Sequence, residues 1–101
     1  MPRNLRQLAA GKPCALRLPG VCNRDETSTV LAHIRRGNTA GGGMKPADIN
    51  AVPLCSACHD AFDGRTRTSY SRHELDAEML RAHVQWLDYL AKEEIIIVVA
   101  A

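Results

Sequence analysis

Four cysteines and four histidines carry most of the chemistry open to this 101-residue chain. Cys14 and Cys22 have seven residues between them, Cys55 and Cys58 have two, and thirty-two separate the pairs. Two such knuckles can supply the four thiolates of a tetrahedral zinc ion. The turn signal Pro19-Gly20 brings together the ends of the wider first knuckle. Structural zinc is the favoured reading. Two alternatives stand beside it: four unconnected buried thiols, which a small core rarely needs, and a redox Cys-x-x-Cys, which usually accompanies a βαβ pattern that this sequence does not show. A small domain stapled in this way depends on its metal for folding.

Among the histidines, His73 and His83 fall at the start and inside a helical stretch and read as surface or part-buried helix residues. His59 directly follows the second knuckle. Four cysteines already fill a tetrahedron, so His59 is available for other work. His33 lies in a segment rich in β-formers. Alternation there puts Leu31, His33 and Arg35 on one face and Val30, Ala32 and Ile34 on the other. A lone strand histidine is more often structural than chemical, so its surroundings decide.

The elements that must position these residues are few. Residues 4–10 read as a short helix capped by Asn4 and stopped by Gly11. Residues 28–35 and 49–54 read as strands, with Pro53 confined to an edge or a strand end. The segment 55–64 can run directly into a helix. Ser71-Arg-His-Glu74 has the form of a capping box, and the spacing predicts a long helix over 72–92. Leu75, Met79, Leu80, Val84, Leu87 and Leu90 form its expected core stripe, with Trp86 beside it. The β-branched tail 95–99 is expected either to pair as a strand or to meet another subunit.

Size and composition bound the reading. One hundred and one residues, 46% of them hydrophobic, fit one globular domain with a small core and argue against disorder throughout. No apolar run approaches the length of a membrane span, and Met-Pro-Arg-Asn is not an apolar signal region, so a cytoplasmic protein is expected. The net charge of +2 is uneven: residues 1–36 carry +5, 37–73 carry +1 and 74–101 carry −4. A basic front suits a polyanion, and it is equally what an uneven solvated surface looks like. Aromatic residues are only 4% of the chain, too few for a platform that stacks single strands.

The stretch Asn50-Ala-Val-Pro-Leu-Cys55-Ser-Ala-Cys58-His59 resembles the second half of the HNH endonuclease motif. Val30-Leu-Ala-His33-Ile fits the strand histidine of its first half. His33, Asn50 and His59 thus match the three letters in order and in approximate spacing. Residues 5–90 also resemble the short nucleases of lambdoid phages and prophages (YbcO-like). That likeness rests on the opening basic helix, the Pro-Gly-Val-Cys-Asn loop, Leu-Ala-His-Ile-Arg and Cys-Ser-Ala-Cys-His-Asp. The resemblance implies an α+β fold: a zinc-stapled treble-clef or ββα-metal core with a short N-terminal helix and a long C-terminal helix. Residues 1–92 would form this single domain, and 93–101 an apolar tail.

It also implies metal-dependent hydrolysis of DNA phosphodiester bonds. His33 would be the general base, Asn50 its orienter through a side-chain amide, and His59 a ligand of a catalytic divalent ion. Asp63 stands four residues after His59. It reads either as a carboxylate ligand suited to Mg²⁺ or Mn²⁺, or as a polar residue closing the last helical turn. Arg35, Arg36, Lys45, Arg65 and Arg67 are candidates for phosphate contacts, or solvated charges. Ala32 occupies the position where many HNH enzymes carry Asp or His, which implies fewer protein ligands for that metal. Two other classes stay open: a non-catalytic zinc module that binds DNA or assists recombination, and an adaptor that dimerises through the tail.

Overall fold

The computed structural model describes residues 4–35, 46–97 and 99. Among them the fold is a small α+β arrangement of three helices and a two-stranded sheet. Helix α1 (Leu5–Ala9) is followed by the first cysteine loop and a 3-10 turn, Glu26–Ser28. Strand β1 (Val30–His33), strand β2 (Ala51–Leu54), helix α2 (Ser56–Phe62) and helix α3 (Arg72–Lys92) complete it.

The helix starts follow from local chemistry. Asn4 accepts from the Gln7 amide at 2.8 Å while the Gln7 side chain accepts from the Asn4 amide at 3.2 Å. Ser71 and Glu74 repeat this reciprocal cap on α3, at 3.1 and 2.8 Å, which satisfies amides that a helix start leaves unpaired. The strands are shorter than the β-rich stretches suggested. Ser28 and Thr29 are diverted because Asp25 caps the 3-10 turn that precedes β1.

The strands pair antiparallel, with Val30 opposite Leu54 and His33 opposite Ala51. Both faces of this small sheet are covered. Leu31 and Ala32 are buried although they alternate, and every residue of β2 is buried. Helix α1 contacts β1, and α2 and α3 contact β2. Pro53 fits because its position makes no demand for an N–H; its carbonyl accepts the Ala15 amide at 2.8 Å and so ties the first cysteine loop to the sheet.

The core stripe of α3 differs from the expected one. Leu75, Met79, Ala82, Trp86 and Leu90 are buried, whereas Leu80 is 66% and Val84 57% exposed. The helix rolls so that its largest apolar side chain, Trp86, goes inside and the small Ala82 comes close to its neighbours. Truncating Trp86 to alanine should therefore lower stability by about 3–5 kcal/mol, read as a drop in the urea midpoint followed by circular dichroism.

The tail also departs from expectation. Its described residues form no strand. The amides of Ile95 and Ile96 bond to the Leu90 carbonyl at 2.9 and 3.3 Å, closing the end of α3. Ile96 packs against the core, while Ile97 and Val99 are each 86% exposed.

Candidate metal centre and active-site cleft

The four cysteines meet. Their sulfur atoms all lie within 4.8 Å of one another, and Cys22 and Cys55 are 3.8 Å apart. A tetrahedron with zinc–sulfur bonds of about 2.3 Å has edges of about 3.8 Å, so the donor set and its spacing fit zinc. Among the described residues this is the sole cluster of three or more candidate ligand atoms. Each knuckle turns an amide onto a sulfur: Arg17 N–H on Cys14 at 3.5 Å and Cys58 N–H on Cys55 at 3.3 Å. Arg17 reaches this geometry in the left-handed region, at φ 47°.

The thiols also show why a cation belongs there. The Cys58 thiol donates to Cys14, which holds Cys14 well below the ordinary thiol range and pushes Cys58 above it. Burial pushes Cys22 up. Without a metal the Cys58 thiol shares its proton with the Cys14 sulfur; a bound dication would replace that proton. Asn23 donates to Ser56 Oγ at 3.0 Å, and the Ser56 amide donates to Ser28 Oγ at 3.1 Å. These bonds tie the first loop to the start of α2, as the cysteines do.

A separate cleft of about 480 Å³ opens beside β1, lined by Arg6, His33, Arg35, His59, Asp63 and Arg65 among others. Three elements build it. β1 ends in His33, α2 presents His59 and its C-cap Asp63 one turn apart, and α1 adds Arg6. His59 Nε2 lies 3.2 Å from Asp63 Oδ2, and the Arg65 guanidinium bridges that same oxygen at 3.1 Å and Asp60 at 3.0 Å. One nitrogen and one oxygen so close together can share a divalent ion with open coordination positions. Ala32 is 1% exposed, part of the core, and offers no ligand atom.

His33 Nε2 donates to Asp48 Oδ1 at 2.8 Å. That bond first, and then Arg6 at 3.4 Å, hold the Asp48 carboxyl below the usual range. With Nε2 carrying the proton, the lone pair of a neutral ring sits on Nδ1. Asp48 is fixed by its turn: the Ile34 amide donates to the Asn50 carbonyl at 2.8 Å, the Asn50 amide to the Ala47 carbonyl at 2.9 Å. His83, from α3, donates to the Ile49 carbonyl at 2.9 Å. Because the native value of Asp48 is lowered, its stabilising effect is complete above the ordinary aspartate range and is lost as pH falls through the lowered value. Asp48→Asn should therefore flatten the acid limb of unfolding below about pH 4, followed by circular dichroism.

The residue set expected from sequence is thus partly assembled. His33, Arg35, His59, Asp63 and Arg65 share the cleft. Arg67 lies instead in a groove with Pro19, Asp60 and Tyr70. Asn50 shapes the turn through its backbone. Arg36 and Lys45 lie outside the described residues.

The family described as "Putative nuclease YbcO" matches residues 3–91, a span that includes the cysteine cluster and every residue named in the cleft. The chain belongs to the YbcO family. A YbcO relative from Escherichia coli K12, "Putative nuclease YbcO", is 44% identical over 87 residues, 83% of this chain and 91% of the relative. A relative from Enterobacteria phage 82 carrying the same description matches with the same identity and coverage. A solved structure of "a putative bacteriophage protein" from Escherichia coli K-12 superposes with a TM-score of 0.74 at 35% identity, covering 90% of this chain and all of that one. The YbcO match ends before the tail. No described helix is long and apolar enough to cross a membrane.

Arg6 and Asp48 were missing from the residues expected at this YbcO cleft. Asp48 left one trace in the sequence, a carboxylate two residues before the singled-out Asn50. Arg6 left only the basic character of the opening helix.

Proposed function

We propose that the chain is a metal-dependent endonuclease of HNH type that hydrolyses DNA phosphodiester bonds in a phage or prophage setting, within the cytoplasm. The observation that carries this reading is the cleft that gathers His33, His59 and Asp63 among Arg6, Arg35 and Arg65. The family description and the phage relative support it. Residues 1–92 act as one treble-clef domain, in which zinc on Cys14, Cys22, Cys55 and Cys58 joins the first loop to α2. Residues 93–101 are its apolar tail.

In this mechanism His33 Nδ1 takes the proton from the attacking water. Asp48 keeps Nε2 protonated and the ring oriented, and Asn50, whose backbone anchors the turn beside His33, shares that orienting task. Arg6, Arg35 and Arg65 hold the phosphate backbone, with Arg36, Lys45 and Arg67 as outer contacts. A divalent ion, Mg²⁺ or Mn²⁺, at His59 and Asp63 would supply stabilisation of the charge that develops on phosphorus.

A second reading is a zinc-stapled DNA-binding or recombination-accessory module without catalysis. It draws on the Arg65 bridge to Asp63 and on the buried Ala32, which together leave the divalent ion few ligands. Incubation of the zinc-loaded protein with supercoiled plasmid, a branched duplex and a single strand separates the two. The nuclease reading expects cleavage of at least one substrate on addition of Mg²⁺ or Mn²⁺. Salt-sensitive binding with no cleavage of any substrate would transfer the assignment to the binding module.

A further inference from the structure

Helix α3 carries a second apolar stripe that the monomer leaves in water. Ala77, Leu80, Val84, Leu87 and Ala91 recur at alternating spacings of three and four, the repeat that keeps a seam on one side of a helix. At about 100° per residue, the centre of this seam lies about 140° around the helix from the core-facing Leu75, Met79, Ala82, Trp86 and Leu90. Leu80 and Val84 are exposed at 66% and 57%. Ala77 is exposed too, and Leu87 and Ala91 are half-buried. The outer face of a surface helix is ordinarily polar, so two large exposed aliphatic residues one turn apart call for a partner.

The seam itself indicates the occupant. Val84 stands between Ala77 and Ala91 at one heptad position, and Leu80 and Leu87 stand at the other. A β-branched residue at the first and leucine at the second is the combination that favours two parallel strands. Among the described helices α1 has five residues and α2 seven; only α3 is long enough to offer a matching face. Beside the seam Asp76 is held by Arg72 at 3.4 Å, and Arg81 by Glu78 at 3.1 Å and the Leu16 carbonyl at 3.1 Å, all within one chain, so the seam offers a partner its apolar side chains. The seam spans only about 21 Å of helix, short of what a stable interface of about 1,200 Å² needs. Parallel alignment adds the missing apolar area by bringing both tails, with Ile97 and Val99 each 86% exposed, to the same end. The helix is already formed in the monomer, so pairing orders little chain.

We propose that the chain forms a parallel two-fold dimer through the Leu80–Val84–Leu87 seam of α3, with the tails as reinforcement. The cleft stays open in this dimer, since none of its lining residues comes from α3. Sedimentation velocity on the zinc-loaded protein, from micromolar to hundreds of micromolar, is expected to show a species of twice the 11.1 kDa chain mass. Val84→Glu and Val84→Lys should each run at the monomer mass, because residue 84 would meet its own copy. An equimolar mixture of the two should recover the dimer mass, which also shows that each variant is folded. A monomeric parent at every concentration, a dimer unaffected by either substitution, or a mixture that stays monomeric would each overturn the proposal.

Discussion

Removing zinc from the four-cysteine cluster is expected to unfold the chain. The secondary structure that surrounds the cluster is too slight to hold itself. Its sheet has two strands of four residues each, and a lone pair of strands is marginal in water. Cys55 and Cys58 are fully buried, and the first loop sends Leu16 and Leu18, each 1% exposed, into the same core. A metal on these cysteines would join a loop that supplies core residues to the helix that supplies the cleft. Structural zinc in small modules binds with about 10–16 kcal/mol at neutral pH, whereas whole domains are stable by about 5–15 kcal/mol. Among the described residues there is no second metal-ligand cluster to offset the loss. The expected result is one zinc per chain by elemental analysis, with chelation or Cys58→Ser abolishing the native fluorescence of Trp86 and the cooperative urea transition. Trp86 is a suitable reporter because it lies in the core and stacks on Tyr89 with ring centres 5.6 Å apart. A metal-free chain that kept the same fluorescence and urea midpoint would refute the structural role.

The parts of this fold that were legible in the sequence are those fixed by local chemistry. The bounds of α3 were readable because Ser71 and Glu74 cap each other three residues apart. The cysteine cluster was readable because zinc constrains residue type and spacing together. What stayed hidden depends on contacts between distant segments. Asp48 reaches His33 only because the turn before β2 is held by Ile34 on one side and by His83 on the other. His83 in turn read as an ordinary helix residue, since nothing near it in sequence announces a carbonyl partner in another element. The roll of α3 is hidden from the spacing for a different reason. The helix carries two apolar stripes, and their residues merge into one broad stripe when only the spacing is considered. Volume decides between them: Trp86 cannot stay in water while Leu80 and Val84 fill the core.

His33→Ala should leave the fold intact and reduce cleavage by about a hundredfold to ten-thousandfold, the usual worth of a positioned general base. The side chain ends β1 at the wall of the cleft, only 10% exposed, and its one described bond is to Asp48. Removing it opens space into that cleft and leaves the core residues in place. Circular dichroism, zinc content and Trp86 fluorescence should match the parent. Asp48→Asn separates chemistry from mere bulk. It keeps the size of the side chain but replaces an ionised acceptor with an amide, which no longer favours the proton on Nε2. A comparable change behind a catalytic histidine lowers turnover by orders of magnitude, so a loss of at least about tenfold is expected here with substrate affinity unchanged. Arg6→Ala should act in the other sense. Arg6 is more than half exposed and meets, at the longer distance of 3.4 Å, the same Asp48 oxygen that His33 holds at 2.8 Å, so its loss should weaken substrate binding in a salt-dependent way more than it slows the chemical step. A folded His33→Ala protein cleaving at the parent's rate would remove His33 from the chemistry. The role of Asp48 in proton transfer would fall with it, because that role runs through its bond to the ring.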